Sequence, residues 1–358
     1  MSALLAPPTI ADRFRVVEAV GRGSFGRVFR VVEVGSGEQR ALKVVPRGAH
    51  ESMLLDEFEQ LARLRHPSLP RVYEVGRTRA AIDDLAAGAP YFVAEWISGA
   101  RSDAAAWSGE LGPRVWSLLV DITGALAVIH AAGLVHGDVA PSNILLDDER
   151  AVLVDLGLAS AGGARGTPAY MAPEALAGHV EPRSDLYGLG ATAIRLVTGR
   201  PLFEGGTLGE LATRILAGAA PRALPGVPAP LADLITRLVA RDPDARPASA
   251  LAVLDELDQL APAIAPGSSR RARPKVGPPP APAAWAGAAD ATPTMASASS
   301  PSVPRGPGSS IRSRINARAR WSPAPSTRSA RRSASPRRQA RARGWSSSRG
   351  PRAGTMAS

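Results

Sequence analysis

Apolar positions in the first 260 residues change their period once, and the change divides the chain into two kinds of structure. From Phe14 to Val20 they alternate loosely with polar ones. A glycine-rich stretch interrupts, and then Arg27 to Val34 and Ala41-Leu42-Lys43-Val44-Val45 resume the two-residue rhythm. That rhythm predicts half-buried strands. From Ser52 to Arg65 the apolar residues fall instead at Leu54, Leu55, Phe58, Leu61, Ala62 and Leu64. This is helical spacing, and His66-Pro67 should end it. Two further strands are predicted around Val72 to Val75 and Tyr91 to Trp96. From Pro113 onward helices dominate: Val115 to Ala132, Leu186 to Thr198, Leu208 to Ala217, Ala229 to Ala240 and Ala248 to Leu260. A small β-rich lobe followed by a larger helical lobe is an α+β arrangement, and the cleft between lobes is where a ligand is expected.

The periodicity stops near Ala261. Beyond it the sequence is rich in Pro, Ser, Ala and Arg, with little to pack a core, which predicts a disordered tail. Residues 1–13 read as an N-terminal extension, 14–260 as one folded domain and 261–358 as the tail. Charge divides at the same place. Residues 261–358 carry 18 basic residues and one acid, a net +17, whereas residues 1–260 carry a net −6, so the overall +11 describes neither part. Such a tail could bind nucleic acid through phosphate contacts, with Trp321 and Trp345 available to stack on bases. A solvated basic extension, or a segment read through a shifted frame, is the favoured alternative. Aromatics are 4% of the chain, so the core must be aliphatic, and there is no cysteine, which removes disulfides, thiolate metal sites and a thiol nucleophile. No run of 18 apolar residues occurs, so no membrane span is expected. Met1 to Arg13 lacks the pattern of a signal peptide. A cytoplasmic location is the expectation.

Composition also singles out one residue. Of the 43 basic residues only Lys43 and Lys275 are lysine, so a chain that otherwise uses arginine keeps one lysine in a predicted strand. Lysine supplies a compact ammonium on a flexible stem where arginine supplies a wide fork. A site placing a point charge between phosphate oxygens and a carboxylate calls for the former. Glu57 on the following helix is the chosen partner, since Glu59, two residues on, faces elsewhere. Upstream lies Gly21-Arg22-Gly23-Ser24-Phe25-Gly26-Arg27-Val28. A dinucleotide-binding version of this motif would open a helix. Here an alternating run follows, so it reads as a hairpin whose glycines let backbone N–H groups approach phosphates. Taken alone, it fits a plain turn equally well.

Downstream come Val135-His136-Gly137-Asp138-Val139-Ala140-Pro141-Ser142-Asn143, then Val154-Asp155-Leu156-Gly157, then Ala172-Pro173-Glu174. Glycine loop, lysine, helix glutamate, HxDxxxxN, DxG and APE in this order resemble the eukaryotic-type serine/threonine protein kinase family in its bacterial form. The resemblance runs from about Phe14 to Leu260. It implies a bilobal protein-kinase-like fold and ATP-dependent phosphorylation of Ser/Thr hydroxyls on protein substrates. Residues 21–26 (Gly21, Arg22, Gly23, Ser24, Phe25, Gly26), with Val28 and Ala41, would then cover the nucleotide. Lys43 held by Glu57 would grip its phosphates, and Glu95 to Ile97 would bind adenine through the backbone, with Ala94 guarding a back pocket. Asp138 would orient the attacking hydroxyl. Asn143 and Asp155 would ligate Mg²⁺ or Mn²⁺. Gly166 to Glu174 resembles the substrate-docking loop, Ser184 to Gly190 the start of a buried central helix, and Arg246 the partner of Glu174.

Three positions depart from the family pattern. Gly137 replaces an arginine that usually answers a phosphorylated activation loop. The 20-residue segment Asp155 to Glu174 offers only Ser160, Thr167 and Tyr170 as hydroxyls. Activity independent of loop phosphorylation is therefore expected. Ala140 replaces a lysine that neutralises the transferring phosphate, and Ser142 does not supply the arginine of the tyrosine-specific pattern. The alternative to an active enzyme is a pseudokinase, a nucleotide-binding scaffold with weak or no phosphotransfer. Leu156 for the usual phenylalanine is a tolerated apolar exchange.

Overall fold

The computed structural model describes residues 9–23, 26–48, 51–105, 107, 110–147, 150–156, 167–218 and 223–265. Most of the N-terminal extension and all of the predicted tail beyond residue 265 lie outside the described residues, while residues 261–264, expected in the tail, continue the last helix.

The N-terminal lobe is an antiparallel sheet of β1 (Thr9–Ile10), β2 (Phe14–Gly23), β3 (Gly26–Glu33), β4 (Gln39–Val44), β5 (Val72–Arg77) and β6 (Pro90–Glu95), ordered β1-β2-β3-β4-β6-β5. Alternation assigns the faces. Phe29, Val31, Leu42 and Val44 are buried on one face with Ile10, Phe14, Tyr91 and Val93. Lys43, between Leu42 and Val44, points to the other face, opposite Phe92 of β6. That face is covered by α1 (Glu51–Arg63), with Leu54 in a small cluster with Val45, Phe92 and Ala94. Along α1 the buried positions are Leu54, Glu57 and Leu61, so Glu57 is a carboxylate set in an apolar stripe.

The C-terminal lobe is built on α2 (Leu111–Ala131) and α4 (Pro182–Thr198), which follows the single-turn α3 (Pro173–Leu176). Helices α5 (Leu208–Ala217), α6 (Ala229–Leu238) and α7 (Ala250–Ile264) complete it around a mainly aliphatic core. The Trp116 indole on α2 donates to the Leu257 carbonyl on α7 at 3.0 Å. Helix ends differ from the periodicity where local chemistry intervenes. α4 starts four residues before Leu186 because Pro182 sits in its first turn and Glu181 with Ser184 forms a capping box. α7 starts after Ser249, whose hydroxyl accepts from the Ala252 amide at 3.2 Å, and continues past Leu260 to Ile264. A second sheet of β7 (Ala100–Arg101), β8 (Ile144–Leu146) and β9 (Ala151–Leu153) was not predicted. Strands of two or three residues carry no readable period.

Among the described residues one helix, α2, is long and apolar enough to cross a membrane by length and composition. Two-thirds of its apolar window (67%) is buried inside the fold, and its Asp121 carboxylate accepts from the Ala151 amide at 2.8 Å. Its hydrophobicity is that of a core helix.

Candidate active site

Between the lobes, strand β4 and helix α1 deliver a cation and a carboxylate to each other. Lys43 Nζ donates to Glu57 Oε1 and Oε2 at 2.9 and 2.8 Å, and to Asp155 Oδ1 at 3.0 Å. Burial pulls the Lys43 pKa down, but Asp155 and Glu57 outweigh it, so the ammonium is held charged. Burial pushes the Glu57 carboxyl up, opposed by Lys43. The Asp155 side chain is 52% exposed, so it faces the cleft. Its backbone takes φ of 55°, the left-handed region that non-glycine residues seldom occupy.

The second cluster sits on the segment between α2 and β8. Asn143 Nδ2 donates to Asp138 Oδ2 at 2.8 Å and to the Asp138 carbonyl at 2.9 Å. Asp138 Oδ1 accepts from the Thr167 amide at 2.7 Å. Asn143 thus spends its amide nitrogen on Asp138 and keeps its carbonyl oxygen, which the Ser142 hydroxyl approaches at 3.4 Å. Asp185, buried in the first turn of α4, accepts from the backbone amides of His136 at 2.9 Å and Gly137 at 2.8 Å, and contacts His130 Nε2 at 2.8 Å. The Asp138 amide donates to His136 Nδ1 at 3.3 Å, which leaves His136 Nε2 to donate to the Val154 carbonyl at 3.3 Å. Burial lowers the His136 pKa, consistent with this neutral ring. Gly137 has φ of 79°. Glycine adopts that conformation without strain.

The glycine-rich stretch is a hairpin, as its sequence implies: Arg22 pairs Arg27, Gly23 pairs Gly26, and Val28 lies between Gly21 and Lys43. Ser24 and Phe25 lie outside the described residues, as does the side chain of Arg22. Gly26 has a reason beyond phosphate access. A Cβ there would stand 2.2 Å from the Val44 carbonyl oxygen, so β3 and β4 could not approach. Ala41 pairs with Ala94 across β4 and β6, Glu95 ends β6, and Ile97 is buried just beyond. Glu174 and Arg246 form the expected pair at 2.7 and 2.8 Å, with the Arg246 guanidinium over the Tyr187 ring.

Sequence reasoning missed the part played by Asp185 and the amide of Thr167. Asp185 left a signal: an acid opening an apolar helix that goes on to be almost wholly buried. The Thr167 contact left none, because a backbone amide has no residue type.

A two-lobed molecule with these groups at its cleft is a protein kinase. The protein kinase domain family model matches residues 14–256, and the chain belongs to that family. Among curated relatives, serine/threonine-protein kinase PknL of Mycobacterium tuberculosis is 33% identical over 275 residues, covering 71% of this chain and 67% of PknL. The DNA damage-responsive serine/threonine-protein kinase RqkA of Deinococcus radiodurans is 33% identical over 277 residues, covering 70% of this chain and 40% of RqkA. Serine/threonine-protein kinase PknK of Mycobacterium bovis is 34% identical over 267 residues, covering 68% and 23%. The chain is a serine/threonine protein kinase of the bacterial type, and the pseudokinase alternative finds no support among these relatives.

Proposed function

We propose that this protein transfers the γ-phosphate of ATP to serine and threonine hydroxyls of protein substrates without requiring phosphorylation of its activation segment. The observation that carries the reading is the closed Lys43–Glu57 pair with Asp155 on the same ammonium. Phosphoryl transfer is mostly positioning and charge neutralisation, and this arrangement supports both. Lys43, fixed by Glu57, neutralises phosphate oxygens beneath the β2–β3 hairpin. The backbone from Glu95 to Ile97 receives the adenine edge. Asp138, oriented by Asn143 and the Thr167 amide, accepts the proton of the attacking hydroxyl.

The carbonyl oxygen of Asn143 and the exposed carboxylate of Asp155 are hard oxygen donors suited to Mg²⁺ or Mn²⁺. When bound, the cation supplies charge neutralisation at the phosphates. Among the described residues no group of three or more His, Cys, Asp or Glu side chains could hold a metal. Two protein donors fit a cation that completes its shell with phosphate oxygens and water.

Independence from loop phosphorylation is supported by Gly137, which offers a phosphate no cation, and by the closed Lys43–Glu57 pair in the unmodified chain. Phosphatase-treated protein should keep its phosphotransfer, and loss of activity on that treatment would defeat the proposal. We keep the cytoplasmic reading, which a need for ATP supports. For residues 261–358 we retain the plainer reading, a solvated basic extension. Deleting residues 262–358 should leave nucleic-acid affinity and phosphotransfer unchanged.

A further inference from the structure

Behind the cleft, a single arginine ties together three segments that the chemistry above needs held in register. Arg150 immediately precedes β9, at the end of the turn from β8. Its Nη2 pairs with Glu95 Oε1 at 2.6 Å, its Nη1 donates to the Pro67 carbonyl, and its Nε contacts Asp147 Oδ2 at 3.3 Å. Asp147 also accepts from the Arg150 amide at 2.8 Å, which fixes the turn under the guanidinium. Each segment leads to a group at the site. Glu95 ends β6 where the chain enters the connection between lobes, and it is bonded there to Arg71: its amide donates to the Arg71 carbonyl at 2.7 Å and its Oε2 accepts from the Arg71 amide at 3.2 Å. Pro67 lies in the loop after α1, the helix that carries Glu57. The next residue, Ser68, accepts from the Leu153 amide of β9 at 2.9 Å. β8 begins immediately after Asn143 and pairs with β7, where the interlobe connection ends.

We propose that Arg150 is a positioning residue that fixes the interlobe connection and the loop behind α1 against the catalytic segment, and so sets the affinity for ATP. The inference rests on the reading of Glu95 to Ile97 as the adenine-binding backbone. The planar guanidinium is suited to the task because it reaches two acceptors on separate segments at once, whereas an ammonium would not hold that fork. Arg150 and Glu95 are each only about a quarter exposed (25% and 24%), so water competes weakly for the pair. The pair coexists here with the closed Lys43–Glu57 contact, which argues that it holds the assembled site.

The test uses the full chain with Arg150→Ala, Arg150→Lys, Glu95→Gln and the double variant Arg150→Ala/Glu95→Gln. Binding of ATP and steady-state KM and kcat with a generic protein substrate are measured beside the melting temperature. Lys43→Met serves as the control for nucleotide binding. Each single variant should weaken ATP binding about fivefold, the size of one charge-assisted contact. The KM for protein substrate should stay within about twofold, and the double variant should be no worse than Arg150→Ala, because the pair acts as a unit. Unchanged ATP affinity in Glu95→Gln and Arg150→Lys, with only melting temperature lowered, would reduce the contact to a structural one and overturn the proposal. A rise in kcat on breaking the pair would also overturn it, since the contact would then be a restraint. Failure of the wild type itself to bind ATP would sink the nucleotide reading and this inference with it, and is told apart by the absence of any difference from Lys43→Met.

Discussion

Lys43 carries the largest predicted effect of any side chain here. It is the one lysine before residue 275, and it touches two carboxylates from opposite lobes, Glu57 and Asp155. Lys43→Met should lower kcat by on the order of 10²–10³, the range for removing one preorganised donor to a developing charge. Substantial phosphotransfer in that variant would refute the assignment. Ala140 is buried at the position where the family pattern leads one to expect a lysine, and among the described residues no arginine or lysine pairs with Asp138. Ala140→Lys should therefore raise kcat by tenfold or more. An unchanged rate would show that the missing charge arrives by another route. Ala94 is small and packs between Ala41 and Val72. An ATP-competitive inhibitor with a bulky substituent should bind the wild type and lose binding in Ala94→Met. At this scale the sequence was most legible, because chemistry restricts residue type at Lys43, Asp138, Asn143 and Asp155. Gly137 was read only as a lost arginine. Its positive φ is a property of the backbone, which a residue name suggests without fixing.

Secondary-structure elements were legible in proportion to their length. α5 matches its periodicity from Leu208 to Ala217, whereas β7, β8 and β9 left no pattern and α4 began where Pro182 and the capping box put it. Two contacts between elements lead to predictions. Arg246, fully buried at its side chain, joins Glu174 of α3 to the carbonyls of Arg183 and Arg241 and lies over Tyr187. Arg246→Ala would leave Glu174 without its counter-charge and should cost about 3–5 kcal/mol in denaturant unfolding. Burial raises the Glu174 carboxyl but Arg246 and Ser184 outweigh it, leaving the pKa lowered. Its stabilisation is thus present above the ordinary carboxyl pKa and lost as pH falls through the folded one. His66, after α1, acts in the same direction for a different reason. Burial, then the charge of Arg150, lowers its pKa to about 4. Between pH 6.5 and about 4 the unfolded chain binds a proton that the folded chain refuses, so stability falls with pH in that window. His66→Gln should flatten that part of the stability–pH profile, and an unaltered profile would show that His66 does not titrate as described.

For the molecule as a whole, the two lobes were readable from the switch between period two and period 3.6, and the cleft from the order of its motifs. What the sequence could not supply was the bracing behind the cleft. Asp185 acts on backbone amides, and Arg150 joins a backbone carbonyl to a carboxylate far from it along the chain, pairings that residue names alone do not specify. One of these braces has a consequence for how the enzyme fails. The amides of His136 and Gly137 are anchored on a carboxylate of the central helix that is 2% exposed. Opening the catalytic segment therefore requires breaking into the most deeply packed part of the lobe. In hydrogen–deuterium exchange these two amides should be among the slowest in the chain, exchanging only through global unfolding. Heat should then release the catalytic segment and melt the helical lobe at one temperature, so this segment has no separate way to wear out.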